Sequence, residues 1–313
     1  MRKYERVLVT GASGIIGYAC QDALRTQGSP VVLTPSHCEL DLLNEASVKE
    51  TLKRLHPDAV IHCAALAASA DIMRNQAARI LADNMTMTAI LANACAGNVR
   101  KFVFLGSGSV YGPLAHSPFR EEEAIQSIQG GDLEGYAISK IAGLCLCKQF
   151  ARCSNTRFTA VLPTHIYGCY SIARKKDAVI DSLVLALLHA KREGAADITL
   201  DIWGTGRLCK RQYMHVADCA RAIVHILETY DDPEPVNLAV DEPVCLDDVV
   251  QYVTARIGYT GRIHYLTERR EVASNRLMCV DKLNGLGFVP QYDLQSGLDQ
   301  LIVQYGQELE EEA

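Results

Sequence analysis

Short apolar runs alternate with longer amphipathic ones along the first half of the chain. Arg6–Thr10, Val31–Thr34, Ala59–Cys63, Lys101–Ser107 and Phe158–Leu162 are compact and nearly all apolar. Between them lie Ile15–Thr26, Asn44–Leu55, Asp71–Ala96 and Glu134–Arg152, whose apolar positions recur at helical spacing. Short runs without polar alternation predict strands covered on both faces, and strand–helix alternation predicts right-handed crossovers. The expected fold class is therefore α/β, with a doubly wound parallel sheet. Asn44 stands where a helix cap belongs.

Beyond residue 163 the rhythm changes. A Tyr- and Gly-bearing loop (Tyr167–Ser171) precedes a helix (Ala178–Arg192), a strand (Ile198–Trp203), a Gly-rich turn and a helix (Ala217–Thr229) that returns to the large domain. The rest is mixed. This predicts a dinucleotide-binding domain at 1–163 with a returning segment near 205–240. A smaller mixed α/β substrate domain takes 164–204 and 241–313.

Composition narrows the function without naming it. The chain has 313 residues, 49% hydrophobic and 22% charged, with a net charge of −6. That balance argues against nucleic acid or an anionic membrane as the main partner, and no apolar run is long enough to span a bilayer. The 12 cysteines are scattered without a CxxC pair, and no metal site is expected. Arg2, Lys3, Glu5 and Arg6 lead straight into the first strand in place of a secretory leader, so reduced thiols and a cytoplasmic location are expected. The acidic run Glu308–Glu312 reads as a solvated end.

Chemistry enters with two motifs. Thr10-Gly11-Ala12-Ser13-Gly14-Ile15-Ile16-Gly17 joins the first strand to the first helix. Its G-x-x-G-x-x-G spacing suits a Rossmann-type dinucleotide site, with Gly11, Ser13, Gly14, Ile15, Ile16 and Gly17 around the pyrophosphate at a helix N-terminus. The second strand leads into Thr34-Pro35-Ser36-His37 with no acid before Glu39 and no arginine. Ser36 and His37 can bond a 2′-phosphate there, so NADP(H) is favoured over NAD(H). The second motif is Tyr136-x-x-x-Lys140, with both side chains on one helix face. An ammonium beside a phenol is expected to lower the phenol's pKa toward neutrality. Ser107 ends the fourth strand, at the ligand-binding edge of such a sheet.

These residues resemble the extended short-chain dehydrogenase/reductases, the NAD-dependent epimerase/dehydratase family, over nearly the whole chain. Within that family they are most similar to the GDP-L-fucose synthases, which are GDP-4-keto-6-deoxymannose epimerase-reductases. The carrying segments are Glu39–Leu43, Phe104–Ser107, Tyr136–Gly143, Leu162–Gly168 and Ile202–Ala217. The resemblance implies a Ser107–Tyr136–Lys140 catalytic set, with Tyr136 protonating the C4 oxygen and Lys140 also holding the nicotinamide ribose. It implies cofactor contacts from Asp41, Leu42, Ala64, Ala65 and Leu66 near the adenosine half and from Pro163 and Thr164 near the nicotinamide. Arg211 matches the arginine that grips the diphosphate. Tyr111 would pack beneath the nicotinamide, and Asn84 would bond a neighbouring strand. Trp203 is open between core packing and stacking on the base. A homodimer is implied, joined through the Asp71–Ala96 and Tyr136 helices.

Departures from the family pattern narrow the activity. The fucose synthases invert C3 and C5 with a cysteine and a histidine, where this chain has Ser109 and, at or near the second place, Ala178. The usual asparagine after Pro-Thr is His165, either a substitute acid or a packed ring. Dehydratases of the family carry Asp-Glu where this chain has Gly108 and Ser109. The reading is an NADPH-dependent 4-ketoreductase of a GDP-linked 4-keto-deoxy sugar without the C3/C5 epimerase residues; Ser109 and His165 count as substrate contacts. A nucleotide-sugar 4-epimerase with tightly bound NAD and a non-catalytic cofactor-binding regulator stand as alternatives.

Overall fold

The computed structural model describes residues 3–26, 31–67, 70–112, 114–125, 134–168, 178–269 and 275–311. In its first half the elements are β1 (Arg6–Thr10), α1 (Ile15–Thr26), β2 (Val31–Leu33), α2 (Glu45–Leu55), β3 (Ala59–His62), α3 (Ala70–Asn75), α4 (Ala77–Cys95), β4 (Lys101–Leu105), α5 (Glu134–Cys153) and β5 (Arg157–Pro163). There follow β6 (His165–Tyr167), α6 (Val179–Glu193), β7 (Asp197–Trp203), β8 (Arg211–His215), α7 (Val216–Thr229), β9 (Val236–Leu238), β10 (Pro243–Val244), α8 (Leu246–Ile257), β11 (Arg262–Leu266), α9 (Asp281–Gly285) and α10 (Leu294–Glu311).

Six strands make the large sheet in the order β2-β1-β3-β4-β5-β9, parallel throughout. The uniform apolarity of the strands has a direct cause. Val7 and Val9 of β1 join one core with α1 and α7, while Leu8 joins the core on the other face. Val103 against Phe102 and Phe104, and Val161 against Phe158 and Leu162, divide in the same way. The strand order reverses between β1 and β3, which opens a crevice at their carboxyl ends.

The smaller part holds a three-stranded sheet, β10-β8-β6, and a two-stranded one, β11-β7. A separate core of Tyr167, Leu187, Val253, Leu298 and Tyr305 joins them to α6, α8 and α10. Three expectations change here. The Asp71–Ala96 stretch is two helices, broken at Gln76. Leu283 and Phe288, expected in the smaller domain, belong to the core of the large sheet. The acidic run through Glu311 continues α10, where Leu309 is buried and its carbonyl accepts from Arg192 at 2.8 Å. Among the described residues no helix is long and apolar enough to cross a membrane, and no cluster of acidic, His and Cys side chains could hold a metal.

Candidate active site

The crevice is lined first by the glycine loop. Gly11 has a φ of +65°, and a Cβ there would lie 2.6 Å from the Ala64 nitrogen. A Cβ on Gly17 would lie 2.3 Å from the Gly11 carbonyl oxygen. Side chains at these places would fill the cradle in front of α1, so the loop fits the pyrophosphate of a dinucleotide. Opposite it, Ala64 donates its N–H to Thr10 Oγ1 at 3.3 Å. The Asn84 side chain clamps Leu66, accepting from its N–H at 2.7 Å and donating to its carbonyl at 3.0 Å. The partner of Asn84 is thus the loop after β3 rather than a strand.

At the adenosine end Asp41 accepts from the Leu43 N–H at 3.0 Å, and Leu42 is buried beneath. Ser36 and His37 are exposed. Glu39 turns back so that its carboxylate accepts from both Ser36 N–H and Ser36 Oγ at 2.9 Å. These two bonds hold the Glu39 pKa below its ordinary value. An acid therefore does reach the end of β2, through a turn and not through the strand's last residue.

Ser107, Tyr136 and Lys140 converge at the ends of β4 and α5. A Cβ on Gly143 would lie 2.2 Å from the Phe104 ring, so only glycine lets α5 settle this close on β4. That approach carries Lys140 inward, 3% exposed, where its Nζ donates to the Leu105 carbonyl at 2.8 Å. The same Nζ lies 5.0 Å from the centre of the Phe104 ring and 5.5 Å from that of Tyr136. Burial lowers the Lys140 pKa to about 8. Tyr136 differs from the sequence expectation. Burial raises its pKa to about 12, and the hydrogen bond with Ser107, not Lys140, opposes the rise.

Ser107 and Tyr136 open onto a cavity of about 330 Å³. Ser107, Ser109, Tyr136, Pro163, Thr164, His165 and Arg211, all singled out by sequence, line it. Met73, Gly108, Phe119, Arg276 and Met278 complete the wall. Arg276 donates to the Tyr111 carbonyl at 2.6 Å and lies over the Phe119 ring at 5.0 Å. Gln212 sets its segment, accepting from Met278 N–H at 2.7 Å and donating to Met278 carbonyl at 3.1 Å. Burial and nearby Arg211 lower the Arg276 pKa. No sequence spacing announces Arg276, because the strand pairing that brings it in runs through an isolated bridge between Phe119 and Met278.

Other expected contacts lie elsewhere. Trp203 is 50% exposed on β7, with Nε1 donating to Asp201 at 3.2 Å and Arg269 over its ring at 5.3 Å. It is neither core nor cavity wall. Tyr111 is fully buried, stacked on Phe119 at 4.8 Å with its hydroxyl 2.5 Å from Asn237 Oδ1. It supports the wall from behind and does not line the cavity. Ala178 is the cap residue before α6 and is not among the cavity residues; 126–133 and 169–177 lie outside the described residues.

Known proteins resemble this chain in sequence and in fold. The family model described as NAD dependent epimerase/dehydratase matches residues 7–239. GDP-L-fucose synthase 1 of Arabidopsis thaliana is 28% identical, over 95% of this chain and 92% of that protein. GDP-L-colitose synthase of Yersinia pseudotuberculosis is 25% identical, over 94% and 95%. Among solved structures, the GDP-mannoheptose C4 reductase MlghC from Campylobacter jejuni with NADP bound has a TM-score of 0.85 at 23% identity, covering 98% of this chain and 99% of that one.

Proposed function

The chain belongs to the NAD dependent epimerase/dehydratase family, and from that premise we propose that it uses NADPH to reduce the C4 ketone of a GDP-linked 4-keto-deoxy sugar. The observation that carries this reading is one cavity whose wall includes both Ser107 and Tyr136 and both Arg211 and Arg276. A hydroxyl pair suits a carbonyl oxygen, and two guanidinium groups suit a diphosphate. A nucleotide sugar offers both groups.

The nicotinamide cofactor, when bound, supplies the hydride. The glycine loop, Ala64 and Leu66 would hold its pyrophosphate and adenosine half, and Pro163 and Thr164 would flank the nicotinamide. Ser107 Oγ holds the carbonyl oxygen. Tyr136 is protonated throughout the neutral range and hands its phenolic proton to that oxygen as the alkoxide develops. Buried Lys140 offers cationic charge to the tyrosinate left behind. The relatives named for GDP-sugar synthesis support the nucleotide, and the NADP in the Campylobacter structure supports the cofactor. The 11 described cysteines are all free thiols, in keeping with work in the cytoplasm. Exposed Met85 of α4 and Cys145 of α5 lie on the two helices through which the family resemblance implies that two copies pair.

A second reading draws on Glu39. Its carboxylate beside Ser36 would favour a ribose hydroxyl over a 2′-phosphate, as in a 4-epimerase that retains NAD. Purified protein mixed with NADPH and GDP-4-keto-6-deoxymannose separates the two. The reductase consumes NADPH in proportion to product, and Tyr136→Phe lowers turnover at least about 100-fold. Protein that carries bound NAD and consumes no NADPH overturns the reductase reading.

A further inference from the structure

Two polar side chains in the cavity are used neither by the Ser107–Tyr136–Lys140 set nor by the arginine pair. The Ser109 hydroxyl is buried and makes no hydrogen bond within the described residues. A buried hydroxyl without a partner costs on the order of 1–3 kcal/mol, so it persists where a ligand satisfies it. His165 is the second. It follows Thr164 directly at the start of β6, and its ring leans on Tyr213 at 5.6 Å between centres. Its residue face is open to the cavity. Burial, with Arg211 and Arg276 nearby, lowers its pKa to about 4, which leaves a neutral ring with one donor and one acceptor nitrogen.

Resting on the reductase reading above, we propose that Ser109 and His165 form a recognition pair for the hydroxyl on C3 of the sugar, and that this pair makes the enzyme specific for substrates that keep that hydroxyl. Ser107 and Tyr136 fix the C4 oxygen; Ser109 donates its N–H to Ser107 Oγ at 3.2 Å, and His165 lines the same cavity. In a 4-keto-6-deoxyhexose the ring neighbours of C4 are C3, which bears a hydroxyl, and C5, which bears the ring oxygen and a methyl group. Only C3 therefore offers a group that can both donate to a neutral imidazole and accept from a serine hydroxyl. A site that bonds a hydroxyl discriminates strongly against the analogue lacking it, because its own polar groups are then left unpaired. The same pairing explains why an imidazole serves here: it replaces a group that must hydrogen-bond without being charged beside two arginines.

The test compares GDP-4-keto-6-deoxymannose with its 3,6-dideoxy analogue, using the full chain and NADPH. Wild-type enzyme is expected to prefer the 3-hydroxylated sugar by at least about tenfold in kcat/KM. Ser109→Ala and His165→Ala should each lose most of that preference, through a KM that rises more for the hydroxylated sugar than for the dideoxy one. Circular dichroism and thermal melting report that each variant is folded. His165→Asn, whose amide both donates and accepts, should recover part of the preference. Equal kcat/KM for the two sugars in the wild type overturns the inference, as does a wild-type preference that neither alanine variant changes, or an equal loss on both sugars. Wild-type protein that consumes no NADPH with either sugar overturns the underlying reductase reading, and the recognition pair falls with it.

Discussion

Lys140 places its Nζ 2.8 Å from the carbonyl oxygen of Leu105, tying the helix that carries Tyr136 to the strand that ends just before Ser107. Lys140→Met should lower turnover by roughly 100-fold, since the buried cation beside the phenol is lost. Stability has an opposing pair of effects. The variant leaves Leu105 unsatisfied, at about 1–3 kcal/mol, but also removes a buried ammonium. Because the folded Lys140 pKa is lowered to about 8, the penalty for burying its charge is complete below pH 8 and fades as pH rises toward the unfolded value of about 10.4. The wild type should therefore gain on the variant in melting temperature between about pH 8 and 10.4. A difference that stays flat across that range would contradict this account.

Two buried histidines set the acid side of the stability curve. His62 is 1% exposed, with Nδ1 2.7 Å from Thr10 Oγ1 and Nε2 3.3 Å from Thr88 Oγ1. Burial lowers its pKa to about 3, and that of His215 to about 4. Each is neutral when folded and takes up a proton on unfolding below its unfolded value of about 6.5. The stability they lend is whole above that pH and drains away as pH falls toward 4 and 3. His62→Gln should reduce the slope of unfolding free energy against pH between about 6 and 4.5 by roughly 1 kcal/mol per pH unit. Urea titrations at several pH values measure it.

The two motifs and the strands were legible because each rests on local chemistry. The glycines around Gly11 and the Tyr136–Lys140 spacing are short-range patterns, and strands buried on both faces must be apolar. Arg276 and Gln212 were not legible. They meet through a wall assembled from Phe119, Met278 and β8, segments far apart in the chain. Glu39 was visible but misjudged: a four-residue turn, not the strand's end, delivers its carboxylate to Ser36. The lysine effect on Tyr136 failed for another local reason. The ammonium spends its hydrogen bond on Leu105, and desolvation outweighs what charge remains.

On the reductase reading Arg211 and Arg276 hold the diphosphate, so their loss should appear in binding. Arg211→Ala and Arg276→Ala are each expected to raise KM for the GDP-sugar roughly 10- to 100-fold, as loss of a charge-assisted hydrogen bond of about 1.5–3 kcal/mol requires. Turnover should change far less. Gln212→Leu should mimic Arg276→Ala, because it removes both bonds that hold Met278 in the wall. Steady-state kinetics decide it. Normal KM in Gln212→Leu would show that the Arg276 segment stands without that bracket.

Inversion at C3 or C5 needs a group that removes a carbon-bound proton and another that returns it. Near the carbonyl site this chain offers Ser109, a hydroxyl without an activating partner, and His165, a weak base with a pKa of about 4. Ala178 offers nothing. Reduction in deuterium oxide is therefore expected to give a product that keeps its configuration at C3 and C5, with no deuterium at either carbon by NMR. Ser109→Cys should change this, since a thiol ionises near pH 8.5 where a serine hydroxyl does not. Slow deuterium entry at a carbon next to C4 is the expected signature of that variant. Deuterium at C3 in the wild type, lost in His165→Ala, would instead assign His165 to proton transfer and restore an epimerase step to the enzyme.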